Sequence, residues 1–214
     1  MNRFVPTLLA SILAVGLVAC SKQGPETAAA PAAGNNAAVS VGLSISTLNN
    51  PFFVALRDGA QAEASKDGIN LITVDAQDDP AKQIASVEDL IQKKVKVILI
   101  NPTDSDAVAN VVKQATAAGI AVVSLDRSVN GAEVASHIAS DNVAGGKLAA
   151  EFLLEKLGGK GNLVELEGVP GTSAARERGQ GFHSVVDGKD GVKLVARQPA
   201  DFDRAKGLSV TENI

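Results

Sequence analysis

Residues 39–53 read Val39-Ser40-Val41-Gly42-Leu43-Ser44-Ile45-Ser46-Thr47-Leu48-Asn49-Asn50-Pro51-Phe52-Phe53. The first seven are an apolar, β-branched run of the kind that forms a strand. Asn50-Pro51 then offers a capping amide and a proline suited to the first helical position. Helical spacing follows at Phe53, Leu56, Ala60 and Ala64, with Gly68 as a stop. A strand thus passes into a helix through a short polar loop.

The same rhythm repeats outward from this unit. Strands are expected at 71–74, 95–100, 121–125 and 136–139. Helices are expected from Asp79-Pro80, with Ile84, Val87, Leu90 and Ile91 on one face, and over 106–118. A further helix capped by Asp141 carries Leu148, Phe152 and Leu157. Nearly continuous apolar strands mark a sheet covered on both faces, which predicts a parallel, doubly wound α/β lobe. After Gly158 to Gly161 the rhythm resumes, with strands at 162–167 and 192–198 and helices at 173–186 and 204–214. A second α/β lobe is expected to begin there and to be incomplete when the chain ends. The reading divides the chain into a leader at 1–20, a linker at 21–38, one lobe at 39–140 and a partial second lobe at 141–214. An incomplete second lobe with exposed strand edges predicts weak ligand binding and association between chains.

The N-terminus reads as an address. Arg3 precedes a largely apolar run over 5–18 that is too short to span a bilayer comfortably, as in a secretory signal. It ends in Leu17-Val18-Ala19-Cys20, which resembles a bacterial lipoprotein cleavage box, with Cys20 the acylated residue. Residues 21–38 are rich in Ala, Gly, Pro, Ser and Asn without apolar periodicity, the composition of a flexible tether. Cys20 is the chain's single cysteine, so an intrachain disulfide and a cysteine-based metal cluster are excluded. His137 and His183 are too few for a typical zinc site and read as surface or packing residues. No metal or cofactor is expected. With a formal charge of −4 and no Lys/Arg run, the composition also argues against a nucleic-acid surface.

Ligands of open α/β sheets bind beyond the carboxyl ends of the strands. Those ends carry Ser46 to Phe53, Asn101-Pro102-Thr103-Asp104, Asp126-Arg127, Ser140-Asp141-Asn142, Gly168 to Arg178, and Ala200-Asp201-Phe202-Asp203. Carboxylates, amides, a guanidinium and phenyl rings on one edge suit a sugar. Its hydroxyls donate to carboxylates and amide oxygens and accept from Arg and amide NH₂ groups. Hydrogen bonds to charged groups contribute about 1.5–3 kcal/mol each. A site built on hydroxyls can reject an analogue lacking one by about 10⁴-fold. Taken singly, Asn50 also reads as a helix cap, Asp126 as a turn former and Ser140 as a strand end. Phe52 and Phe53 lie 100° apart on a helix, so one of them is expected to leave the core and face a cleft.

Several stretches together are more specific. Ser46-Thr47-Leu48-Asn49-Asn50-Pro51-Phe52-Phe53, Leu99-Ile100-Asn101-Pro102-Thr103-Asp104-Ser105-Asp106-Ala107-Val108 and Leu125-Asp126-Arg127 resemble the periplasmic sugar-binding proteins of ABC transporters, in their ribose-binding branch. So do Ser136-His137-Ile138-Ala139-Ser140-Asp141-Asn142, Gly171-Thr172-Ser173-Ala174-Ala175-Arg176-Glu177-Arg178-Gly179 and Gln198-Pro199-Ala200-Asp201-Phe202-Asp203-Arg204. The resemblance runs from about Val41 to the last residue.

It implies a two-lobed receptor that delivers D-ribose to an ABC permease, with a chemoreceptor as a second partner, and a monomeric state at full length. It implies Asn50, Phe52, Phe53, Asn101, Asp126, Arg127 and Ser140 as sugar contacts from the first lobe and its hinge. Arg178 would contact the sugar from the second lobe, and Phe52 and Phe202 would flank the ring. Another pentose, allose or a furanose is the alternative ligand. The chain departs from the soluble members of that family in its lipoprotein-like leader and tether. The effector lobe of a LacI-type repressor shares the fold, but such proteins begin with a helix-turn-helix where this chain has a leader. An enzyme is not expected, because no G-x-G-x-x-G follows the first strand and no G-x-x-x-x-G-K-[ST] occurs.

Overall fold

The computed structural model describes residues 38–214. The expected leader with Cys20, and the tether up to residue 37, lie outside the described residues.

Among the described residues, seven strands and six helices alternate, except that the fourth strand is followed directly by the fifth. β1 (Ser40–Ile45), β2 (Asn70–Asp75), β3 (Val97–Ile100), β4 (Ala121–Leu125) and β5 (Ser136–Ile138) form one parallel sheet in the order β2-β1-β3-β4-β5. The order reverses at β1, so the crevice between the ends of β1 and β3 is the topological switch point of a doubly wound sheet. β6 (Gly161–Glu167) and β7 (Val192–Pro199) form a second parallel sheet, with a bulge between Leu163 and Val164.

Capping chemistry fixes where the helices begin. Asn50, Asp79, Asp141, Thr172 and Asp203 cap α1 (Pro51–Lys66), α2 (Pro80–Gln92), α4 (Asn142–Lys156), α5 (Ser173–Val186) and α6 (Arg204–Glu212). Each accepts a hydrogen bond from the first turn through its side-chain oxygen. α3 (Ala109–Ala117) starts three residues later than its sequence pattern indicates. Asp104 accepts from Asp106 N and Ala107 N at 2.9 and 2.8 Å, which holds the preceding residues in turns.

The main core lies on one face of the five-stranded sheet. Val87 and Leu90 of α2 and Val111, Val112 and Ala115 of α3 pack there with Ile98, Ile100 and Val122. α1 packs against β1 and β2 and buries Phe53 and Ala64. A smaller core of Ala150, Leu154, Leu163 and Val186 joins α4 and α5 to the second sheet. The apolar residues read as the mark of α4 lie on its other side: Leu148 and Phe152 are 65% and 61% exposed. Its buried stripe is Asn142, Gly146, Ala150 and Leu154. α5 approaches α4 so closely that only small or slender side chains fit between them. The outer face of the second sheet, with Val164, Leu166 and Val195, is exposed.

Candidate functional site

Polar side chains gather where β1, β3 and β4 end, and each is held by its local structure. Asn50 serves two purposes: its Oδ1 accepts from Phe52 N at 2.9 Å, and its Nδ2 donates to the Phe202 carbonyl at 3.4 Å. The cap therefore leaves the amide reaching across to the β7–α6 turn. Phe53 is 3% exposed and Phe52 56%, with ring centroids 5.3 Å apart in an edge-to-face pair. Consecutive helical positions thus leave one ring buried and the other largely exposed, while both border the cleft.

Asp126 follows β4 with φ +62°, a left-handed conformation that turns the chain back toward the cleft. Its backbone N donates to Ile138 O at 2.8 Å. Burial pushes its carboxyl above the ordinary carboxylate range, and Arg127, Arg178, His137 and an Asn101 hydrogen bond pull the other way. Arg127 is 2% exposed. One of its terminal nitrogens donates to Pro102 O at 2.8 Å, and its Nε stands 3.7 Å from Asp126 Oδ2. The guanidinium carbon lies 5.1 Å from the Phe53 ring centroid and 5.9 Å from that of Phe202, positions suited to cation–π attraction. Its Nε has no hydrogen-bond partner among the described residues. A buried, charged donor without a partner is costly, so the geometry favours an incoming oxygen.

Across the cleft, Phe202 also adopts a left-handed φ of +57°, and its ring lies on Gly168, where any Cβ would overlap it. Arg178 on α5 faces the same ring at 5.6 Å. Asn50, Phe52, Phe53, Asp126, Arg127, Ser140, Ala174, Arg178 and Phe202 line one cavity of about 270 Å³. That is the scale of a small polyol rather than of a drug-sized ligand. A second chamber of about 430 Å³ shares Asn50, Phe52, Phe53, Arg127 and Phe202 as its wall and adds Asp78, Asp201 and Asp203.

Eight of the nine residues selected from sequence border the smaller cavity. Asn101 stands behind the wall. It is fully buried, its Oδ1 accepts from Ser46 N at 3.2 Å and Ser46 Oγ at 2.6 Å, and its Nδ2 donates to Leu125 O at 3.1 Å. It ties the ends of β1 and β4 together at the switch point. Both histidines lie outside the cavity. His137 shares a 2.8 Å hydrogen bond with Ser124, and His183 sits 2.9 Å from both Glu165 and Asp187.

Sequence reasoning missed the parts that join the two sheets. Ser105 N donates to Gly171 O at 2.9 Å, Ser173 N donates to Ser105 Oγ at 3.1 Å, and Ser128 N donates to Ser173 Oγ at 2.8 Å. Ser105 and Ser173 are buried. It also missed Gln83, fully buried on α2. Gln83 Nε2 donates to Asn101 O at 2.9 Å, and its Oε1 accepts from Thr103 N at 2.7 Å. A polar residue in register with Val87 and Leu90 was the available signal.

The doubly wound sheet thus carries a polar, ring-lined cavity beyond its carboxyl edge, faced by a second α/β layer, at the place where such sheets bind ligands. The chain belongs to the family of the periplasmic binding protein domain, whose match covers residues 41–214.

It is 52% identical over 198 residues to the ribose import binding protein of Bacillus subtilis, covering 92% of this chain and 64% of that protein. It is 55% identical over 174 residues to the ribose import binding protein of Escherichia coli, covering 81% and 58%. Among solved structures, the Caulobacter myo-inositol binding protein bound to myo-inositol superposes with a TM-score of 0.78 at 34% identity, over 82% of this chain and 60% of that one. A galactofuranose binding protein gives the same TM-score at 32% identity, over 82% and 60%. The chain thus spans about three fifths of the length of the curated relatives it matches. Those relatives are named as binding proteins, not enzymes.

Proposed function

We propose that the protein is the substrate-binding component of a sugar ABC import system, with D-ribose as the ligand. The observation that carries this reading is the convergence of Asn50, Phe52, Phe53, Asp126, Arg127, Ser140, Arg178 and Phe202 on one small cavity. Phe52 and Phe202 take the C–H faces of the sugar ring, while Asp126, Arg127 and Arg178 take its hydroxyls. Asn101 acts on the sugar through the Asp126 carboxylate that its amide stabilises. Residues 39–140 and 141–214 belong to two lobes that trap the sugar between them, and the closed form docks on the permease. The relatives named for ribose import support ribose over other sugars.

The leader directs export to the periplasm, and acylation at Cys20 ties the body to a membrane by lipid alone, through the tether at 21–38. At full length the exported protein is a monomer, and a chemoreceptor is its second protein partner.

Titration calorimetry of the intact protein with D-ribose, other pentoses, allose and furanoses tests the reading. Ribose binding, weak or tight, that is lost in Asp126→Ala supports it. Tighter binding of another sugar reassigns the ligand, and binding of none overturns it. Mass spectrometry of the mature N-terminus, in wild type and Cys20→Ala, tests the anchor separately.

A further inference from the structure

Arg178 is the cation that α5 brings to the smaller cavity. It is exposed. A long, exposed arginine samples many rotamers unless something fixes it.

What fixes it is α4. Asn142, the first residue of that helix, is 4% exposed, and its Oδ1 accepts from Arg178 Nε at 2.9 Å. Its Nδ2 donates to Glu177 Oε2 at 3.3 Å. One turn further along the same stripe lies Gly146, where a Cβ would run into the backbone carbonyl of Arg178. Gly181 on α5 stands in the same relation to the Val143 carbonyl of α4. The helices therefore cross at a separation that side chains at 146 and 181 would forbid, and at that separation a short amide reaches the arginine.

Capping does not explain Asn142, because Asp141 already accepts from Ala144 N at 2.9 Å. Core packing does not explain it either. Ala150 and Leu154, lower on the stripe, are apolar and join the second core, whereas Asn142 is polar where the stripe meets the cavity. Ser140, two residues earlier, lines that cavity directly.

We infer that Asn142, seated through Gly146, is a positioning residue that aims the Arg178 guanidinium at the sugar without touching the sugar itself. The inference rests on the proposed sugar-binding function, and its test separates the two. Calorimetry with D-ribose on the intact protein compares wild type, Asn142→Leu, Arg178→Ala and the double variant. Asn142→Leu is expected to weaken binding about tenfold, and the double variant to bind no worse than Arg178→Ala alone. Asn142→Asp keeps the acceptor for Arg178 Nε but sets a carboxylate against Glu177, so it is expected to restore part of the affinity. Additive losses in the double variant, with melting temperatures unchanged, overturn the inference.

Nitrogen-15 NMR of the arginine Nε–H groups, without sugar, gives a second readout. A slowly exchanging Arg178 signal in wild type, lost in Asn142→Leu and kept in Asn142→Asp, is expected. Rapid exchange in wild type overturns the inference whether or not ribose binds. Absence of sugar binding by wild type defeats only the function on which it rests.

Discussion

Arg127 Nε and Asp126 Oδ2 stand 3.7 Å apart at the floor of the cavity, with the arginine side chain 2% exposed and the aspartate 16%. The pair is neither a tight ion pair nor two independent charges. The arginine is held by Pro102 O and two phenyl rings, and its Nε is left without a partner. Arg127→Met removes a desolvated donor and the charge opposite Asp126. Breaking a buried charge pair by removing one partner costs about 3–5 kcal/mol. The expected result is loss of measurable ribose binding by calorimetry together with a clear drop in denaturant midpoint. Arg127→Lys keeps the charge but not the planar fork, and is expected to recover stability more than affinity.

Asp126 separates affinity from stability. Its folded pKa is raised above 3.8, chiefly by burial. A carboxyl with a raised folded pKa binds its proton more tightly when folded, so its ionisation lowers stability as pH rises through the window between those two values. The sugar hydroxyls need the ionised form. Ribose affinity is therefore expected to fall as pH drops through the raised pKa, while the contribution of this group to stability increases. Asp126→Asn abolishes that pH dependence of affinity and binds ribose at least tenfold more weakly at neutral pH. Calorimetry and thermal melts at matched pH values check both halves.

Sequence periodicity served the elements well because five of the six described helices begin at a residue whose side chain caps them. Asn50, Asp79, Asp141, Thr172 and Asp203 are such residues, and strand–cap–helix is a local rule. The polar edge was legible for the same reason, since strand ends put Asn50, Asp126 and Phe202 where a doubly wound sheet puts its ligand. What stayed hidden is set by contacts between distant segments. Nothing local to residue 142 tells that α5 will lie close enough for Asn142 to reach Arg178. The inward face of α4 stayed hidden on the same grounds. Leu148 and Phe152 look like core until Gly181 sets the approach, after which Gly146 and Ala150 take the inside. Asn101 could be placed at a strand end but not on one side of the cavity wall, because its partners Ser46 and Leu125 lie on other strands.

Gly171 gives a test of how the two sheets meet. A Cβ at this position would overlap Asp104 Oδ2, and Asp104 cannot swing away freely because its Oδ1 holds Asp106 N and Ala107 N. The neighbouring Gly171 O accepts from Ser105 N. Gly171→Val is expected to hold the layers apart, weakening ribose binding about tenfold or more with little loss of melting temperature. Small-angle scattering in saturating ribose is expected to give a larger radius of gyration than wild type. An unchanged radius with unchanged affinity would sink the idea.

His183 supplies a second pH effect on stability, of the same sign. It sits 2.9 Å from Asp187 on its own helix end and 2.9 Å from Glu165 on β6, with Arg197 of β7 facing the same carboxylate at 3.5 Å. The Asp187 hydrogen bond is the largest cause raising its pKa above 6.5; burial and Arg197 oppose the rise, and Glu165 supports it. A histidine with a raised folded pKa stabilises the fold fully below its unfolded value and loses that contribution as pH rises through the folded one. The Asp187 bond closes the end of α5 and the Glu165 contact joins that helix to the second sheet, so wild type is expected to lose a few degrees of melting temperature from pH 6 to pH 8. His183→Gln keeps a hydrogen bond but cannot charge, and its melting temperature should stay flatter over the same interval. An equal slope in the two proteins would place the titrating group elsewhere.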